Sequence, residues 1–109
     1  MQITLFESKD EKVYTEIIAI YEFGQITVSG YDHYFPTQQI PEGTEYVYET
    51  ILDSISTCEF IESIAPACSE FEVLEKMKEL FGGERADIRF QAYCVEHSIE
   101  TYCSSQFDD

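Results

Sequence analysis

Hydrophobic and polar positions alternate through much of the first 52 residues, and the period lengthens after them. Ile3 and Leu5 fall on one side of residues 2–6, which predicts a first strand, and Ser8 to Lys12 is a polar turn. Val13 to Phe23 is dense in β-branched and aromatic residues and predicts a long second strand. Gly24 supplies a turn, and Gln25-Ile26-Thr27-Val28-Ser29 alternates cleanly as a third strand. The stretch from Gly30 to Thr44 carries Gly30, Pro36, Pro41 and Gly43 and predicts a loop, part of which Tyr31, Tyr34, Phe35 and Ile40 tuck against the body. A loop that long in a small domain points to binding. Glu45 to Leu52 alternates around Tyr46, Tyr48, Thr50 and Leu52 and predicts a fourth strand.

The spacing then becomes helical. Ser56 and Glu59 have capping-box spacing ahead of Phe60, Ile61 and Ile64, in a short helix that stops at Pro66. Ser69 and Glu72 form a second capping box, with Phe71, Leu74, Met77 and Phe81 as the core stripe and Gly82-Gly83 as the stop. Arg85 to His97 fits either period: Ile88, Phe90, Ala92 and Cys94 alternate, whereas Ile88, Ala92 and Val95 share a helix face. Thirteen residues is long for a strand, which favours the helix. Ile99 to Cys103 predicts a last strand, and Phe107-Asp108-Asp109 a frayed tail. Strands first, helices second and one strand last predict an α+β fold. It is an antiparallel sheet, an N-terminal meander plus a C-terminal strand, packed with two or three helices from the C-terminal half. Residues 1–109 make one such domain, with 44% hydrophobic residues to build its core.

Charge changes the picture most. Twenty-two acids stand against six bases, a net charge of −16. The bases are Lys9, Lys12, Lys76, Lys78, Arg85 and Arg89, so the whole stretch from Val13 to Glu75 has none. That stretch holds Glu16, Glu22, Asp32, Glu42, Glu45, Glu49, Asp53, Glu59, Glu62, Glu70, Glu72 and Glu75. Such an excess repels itself and destabilises the compact state, so it calls for a purpose. Direct nucleic-acid binding and an anionic membrane are both disfavoured, because each requires a basic surface. No apolar run approaches the ~20 residues of a membrane helix, and the N-terminus lacks the form of a signal peptide, so the cytosol is expected. There the four cysteines, Cys58, Cys68, Cys94 and Cys103, are expected to be reduced.

Catalytic chemistry finds little footing. His33 and His97 sit in no recognisable nucleophile or metal motif, and Cys94 with His97 has no cation beside it to activate a thiol. The cysteines lack the C-x-x-C pairing of structural zinc sites and read as small hydrophobes. The sequence therefore predicts no enzyme, no metal and no cofactor. What stands out instead is Tyr31, Asp32, Tyr34, Glu42, Glu45, Tyr46, Tyr48 and Glu49, tyrosines interleaved with acids and free of cations. Tyrosine gives rigid, amphipathic contact area, and carboxylates pair with arginines of a partner, so these eight are the expected partner-binding residues.

Val28-Ser29-Gly30-Tyr31-Asp32, Glu45-Tyr46-Val47-Tyr48-Glu49-Thr50 and Leu80-Phe81-Gly82-Gly83 resemble landmarks of small acidic immunity proteins of bacterial polymorphic toxin and contact-dependent growth inhibition systems. The resemblance spans residues 13 to 103. It implies an inhibitor that neutralises a cognate toxin domain, a basic nuclease, by covering its active site with an acidic surface; the chain is expected to be a monomer or weak dimer. A phage or plasmid antidefence protein that mimics DNA would share that charge logic.

Overall fold

Glu22 pairs with Gln25 in a hairpin closed by two residues, Phe23 and Gly24. Both have left-handed backbones (φ 53° and 75°), the geometry that matches the twist of a two-residue hairpin. They join β2 (Val13–Glu22) to β3 (Gln25–Tyr34), and Phe23 thus belongs to the turn and not to the strand, with its ring almost wholly exposed. β1 (Gln2–Lys9) precedes this hairpin and β4 (Thr44–Leu52) follows it. Asp10 makes the β1–β2 turn, its Oδ1 accepting from the amides of Lys12 (2.7 Å) and Val13 (2.9 Å). Those two donors hold the Asp10 carboxyl below its usual range. The computed structural model describes residues 1–64 and 69–108.

Three helices come next: α1 (Ser54–Ser63), α2 (Glu70–Phe81) and α3 (Ala86–Glu96). β5 (Tyr102–Asp108) returns to pair with β4. The result is a five-stranded antiparallel sheet in the order β1-β2-β3-β4-β5, with the helices from the C-terminal half on it. The α+β architecture expected from the pattern is the one observed.

The helix side of the sheet carries Leu5, Ile17, Ala19, Ile26, Val28 and Leu52, all buried against Phe60, Val73, Leu74, Met77, Phe81, Ala86, Phe90 and Cys94. A register shift between Thr4 and Phe6 lets the consecutive residues Leu5 and Phe6 both reach this core. Phe60, Phe81, Phe90 and Tyr93 meet edge-on or tilted at 5.4–6.3 Å in its centre. Thr57 ties α1 to the sheet: its buried hydroxyl accepts from the Ile26 amide (3.1 Å) and donates to the Leu52 carbonyl (3.3 Å).

Several boundaries differ from the sequence expectation. β3 continues through Gly30 to Tyr34, so only residues 35–43 form the loop before β4. Gly30 is no turn residue: a Cβ there would overlap the ring of Tyr48, its cross-strand neighbour. The first helix is capped by Asp53, whose Oδ1 accepts from the Ser56 amide (2.8 Å), which places Ser56 inside the helix. Its expected stop at Pro66 lies outside the described residues, as does Cys68. Ser69 caps α2 as expected (Glu72 amide to Ser69 Oγ, 3.1 Å), with Glu72 Oε1 accepting from the Ser69 hydroxyl (3.2 Å) in place of the backbone half of the box, but Phe71 is 55% exposed. At roughly 100° per residue Phe71 lies off the stripe of Val73, Leu74, Met77 and Phe81. Residues 86–96 are helical, yet Ala86, Phe90 and Cys94 face inward while Ile88 and Val95 are exposed. The last strand starts at Tyr102 and includes Phe107; Ile99 is buried just before it.

Candidate binding surface

The strands are longer than the helices that cover them. Burial on the helix side spans Ile17–Ala19, Ile26–Val28 and Thr50–Leu52 and then fades, leaving Val13, Thr15, Asp32, Tyr34, Tyr46 and Tyr48 beyond the helices. A groove of about 630 Å³ opens there between this bare half of the sheet and the first turn of α3. Tyr46 and Tyr48 form part of its floor, and Asp10, Asp32, Glu84 and Asp87 bring carboxylates to it. Arg85 is the one base that lines it among the described residues. At the inner end Gln91 donates from Nε2 to the buried hydroxyl of Thr50 (2.7 Å) and seals the core from the groove.

Tyr48 organises the floor. Its hydroxyl donates to Asp32 Oδ1 (3.1 Å), and its ring lies on the bare backbone of Gly30. Burial first, and then the Asp32 charge, push the Tyr48 phenol far above its ordinary value. Tyr34 is raised as well, by burial and by the same carboxylate. Tyr46 stacks on Phe107 at 4.3 Å. Past this stack lies a second, apolar notch of about 460 Å³ lined by Tyr34, Phe35, Ile40 and Phe107, with Lys12 at its rim.

Tyr31, Glu45 and Glu49 point the other way. Strand side chains alternate in direction, so neighbours in sequence divide between the two faces. On the far face Tyr31 donates to Glu45 Oε1 (2.9 Å), and His33 Nδ1 lies 3.7 Å from the same oxygen. Tyr14 donates to Glu7 (2.8 Å) and Glu16 (3.3 Å), and the hydrogen bond to Glu7, with burial next, lifts its phenol to about 12. Tyr31 is raised chiefly by Glu45. Glu49 belongs to this face by register, opposite Ser104, although it also borders the groove. Glu42 is exposed in the 35–43 loop.

Seven of the eight expected residues therefore divide between two surfaces, and Glu42 stands apart in the loop. Asp32, Tyr34, Tyr46 and Tyr48 share the groove side, whereas Tyr31, Glu45 and Glu49 share the far side. The fold adds acids from segments distant in sequence, Asp10, Glu84 and Asp87. It also brings bases near a stretch that has none of its own: Lys9 lies 5.8 Å over the Phe35 ring, and Lys12 reaches the notch.

Few of the acids are compensated. Among the described residues, no Lys or Arg side chain lies within 4.0 Å of a carboxylate; the Met1 amino group pairs with Glu22 (3.9 Å), and His33 Nδ1 lies 3.7 Å from Glu45. Arg89 instead donates to the carbonyls of Gly82 (3.1 Å) and Glu84 (2.8 Å), stapling the α2–α3 turn. Burial, followed by the neighbouring Cys103, raises the Cys94 thiol to about 12, so it stays protonated and inert at neutral pH. Cys58 and Cys103 are exposed, not buried as small hydrophobes.

Among the described residues no helix is long and apolar enough to cross a membrane. The chain matches no family model, no curated protein and no solved structure. Val28–Asp32 and Glu45–Thr50 pair across β3 and β4, with Gly30 opposite Tyr48 and Asp32 opposite Tyr46.

Proposed function

We propose that this chain is a cytosolic inhibitor of the immunity type, which binds a basic toxin domain, a nuclease, and neutralises it by seating the groove over its cationic cleft. The observation that carries this reading is a concave surface of tyrosines and carboxylates whose acids, among the described residues, have no lysine or arginine nitrogen within 4.0 Å. Carboxylates in that state keep their full attraction for an external cation. The tyrosines beside them are half-buried and held in place, so they lose little freedom on contact. A nuclease cleft must be basic to hold phosphates, which makes it the complementary surface. Opposite fields also steer association, toward ~10⁸–10⁹ M⁻¹s⁻¹ at low salt.

The test compares two matched charge reversals. Glu84→Lys with Asp87→Lys alters the groove, and Glu72→Lys with Glu79→Lys alters the exposed side of α2 by the same amount. Each is co-expressed with a basic nuclease domain sought among the products of adjacent genes, and growth and binding rates are measured. The groove pair is expected to lose protection and to bind at least tenfold more weakly, mostly through faster dissociation. The α2 pair should retain protection. Equal losses from both pairs, confined to association and erased by salt, would leave only a diffuse field and overturn the reading.

A further inference from the structure

The two edges of the sheet differ. β1 is blunted: it carries the register shift at Thr4/Phe6 and the charges of Glu7 and Lys9, and the α2–α3 turn closes on it, Gly83 donating to the Leu5 carbonyl (2.9 Å). β5 has none of these protections. Its residues Tyr102 to Phe107 are all exposed, with no Lys, Pro or Gly and no charge before Asp108. Among the described residues, no backbone hydrogen bond reaches β5 except from β4. An extended edge with free amides and carbonyls is a template for one more strand.

A second unpartnered surface lies beside it. Ile88, which borders the groove together with Cys103 and Ser105, begins a row on α3 continued by Ala92 and Val95. These three are exposed, Val95 at 77%, although they repeat at helical spacing like a core stripe. On the opposite face of the sheet, Glu45 and Glu49 stand on β4, one strand in from the edge. A strand added outside β5 would lie about 10 Å from them at ordinary strand spacing, within the reach of a lysine stem and one screening length.

We propose that the β5 edge takes up an extended segment of the basic protein partner as a sixth strand, with apolar side chains toward Ile88 and Val95 and basic ones toward Glu45 and Glu49. The inference rests on the reading of the chain as a binder of a basic partner and adds the mode of engagement. A second copy of the chain is the poorer occupant, because it would bring two bodies of charge −16 edge to edge.

The probe is a nine-residue peptide of alternating lysine and valine, with two controls N-methylated on all lysines or on all valines. In a strand only alternate amides point at a given neighbour, so one of the two controls is expected to lose at least tenfold in affinity and the other much less. Amide exchange in residues 102–107 should slow at least tenfold on binding the parent peptide, and Val95→Glu, at an exposed position that folding does not use, should weaken it. No binding by the parent peptide overturns the proposal. So does binding that survives methylation on either set while exchange in β5 stays unchanged. That last result would leave the groove reading intact, since the latter is judged on Glu84, Asp87 and growth. Slow β5 exchange without peptide that deepens with protein concentration would assign the edge to a second copy and also overturn it.

Discussion

Tyr48 joins three levels of the molecule in one side chain. Its ring needs Gly30, its hydroxyl needs Asp32, and its exposed edge is part of the groove floor. Gly30→Ala would drive a methyl into that ring and is expected to cost about 1–3 kcal/mol in denaturant unfolding, as overpacking does elsewhere. An unchanged midpoint would mean that the ring has room to move. Tyr48→Phe removes only the hydrogen bond and should cost about 1 kcal/mol. Alkaline titration offers a separate check. Tyr14, Tyr31, Tyr34 and Tyr48 all bind their protons more tightly folded than unfolded, so their contribution is complete below about pH 10 and is lost as pH rises beyond it. Tyrosinate absorbance from these four should therefore emerge above pH 10 and be accompanied by falling stability; ionisation of all four near pH 10 would contradict the hydrogen bonds to Glu7, Glu45 and Asp32.

At the scale of elements, α2 and α3 respond differently to similar substitutions. Phe90→Ala empties the centre of the aromatic cluster and should cost about 3–5 kcal/mol. Phe71→Ala, on an exposed ring, should stay within about 0.5 kcal/mol. A thermal melt of both variants decides whether the stripe is Val73-Leu74-Met77-Phe81 or includes Phe71. The Ser69 cap and the Gly82 stop were legible because both act within a few residues of sequence. The facing of α3 was not, because Phe90 and Cys94 fit a strand and a helix alike, and Ile88, Ala92 and Val95 obey a core period with nothing laid over them. β3 was cut short at Gly30 for a similar reason: the glycine accommodates a ring from the next strand, and no neighbour in sequence announces that ring. The candidate site was legible only as a supply of tyrosines and acids. Tyr31 and Asp32 must diverge once both lie in a strand, and Asp10, Glu84 and Asp87 arrive through tertiary contacts that linear spacing does not encode.

For the whole molecule, unpaired charge sets the response to solvent. Raising ionic strength from about 0.01 M to about 0.1 M shortens screening from roughly 30 Å to roughly 10 Å. With −16 charges and few internal pairs, the folded state should gain about 1 kcal/mol, a melting point higher by several degrees. A flat response would show that the acids are too far apart to repel. The 50 × 25 × 22 Å extent reflects the sheet that outruns its helices, and this gives single strands two lifetimes. In β2 the segment from Ile17 to Ala19 lies under the helices, with Ile17 and Ala19 buried, whereas Val13 to Glu16 lies beyond them and is only half-buried. Deuterium should enter the second segment through brief local fraying and reach the first only when the whole fold opens, so the boundary of the helical layer will be drawn as a step in exchange rate across the middle of β2, β3 and β4.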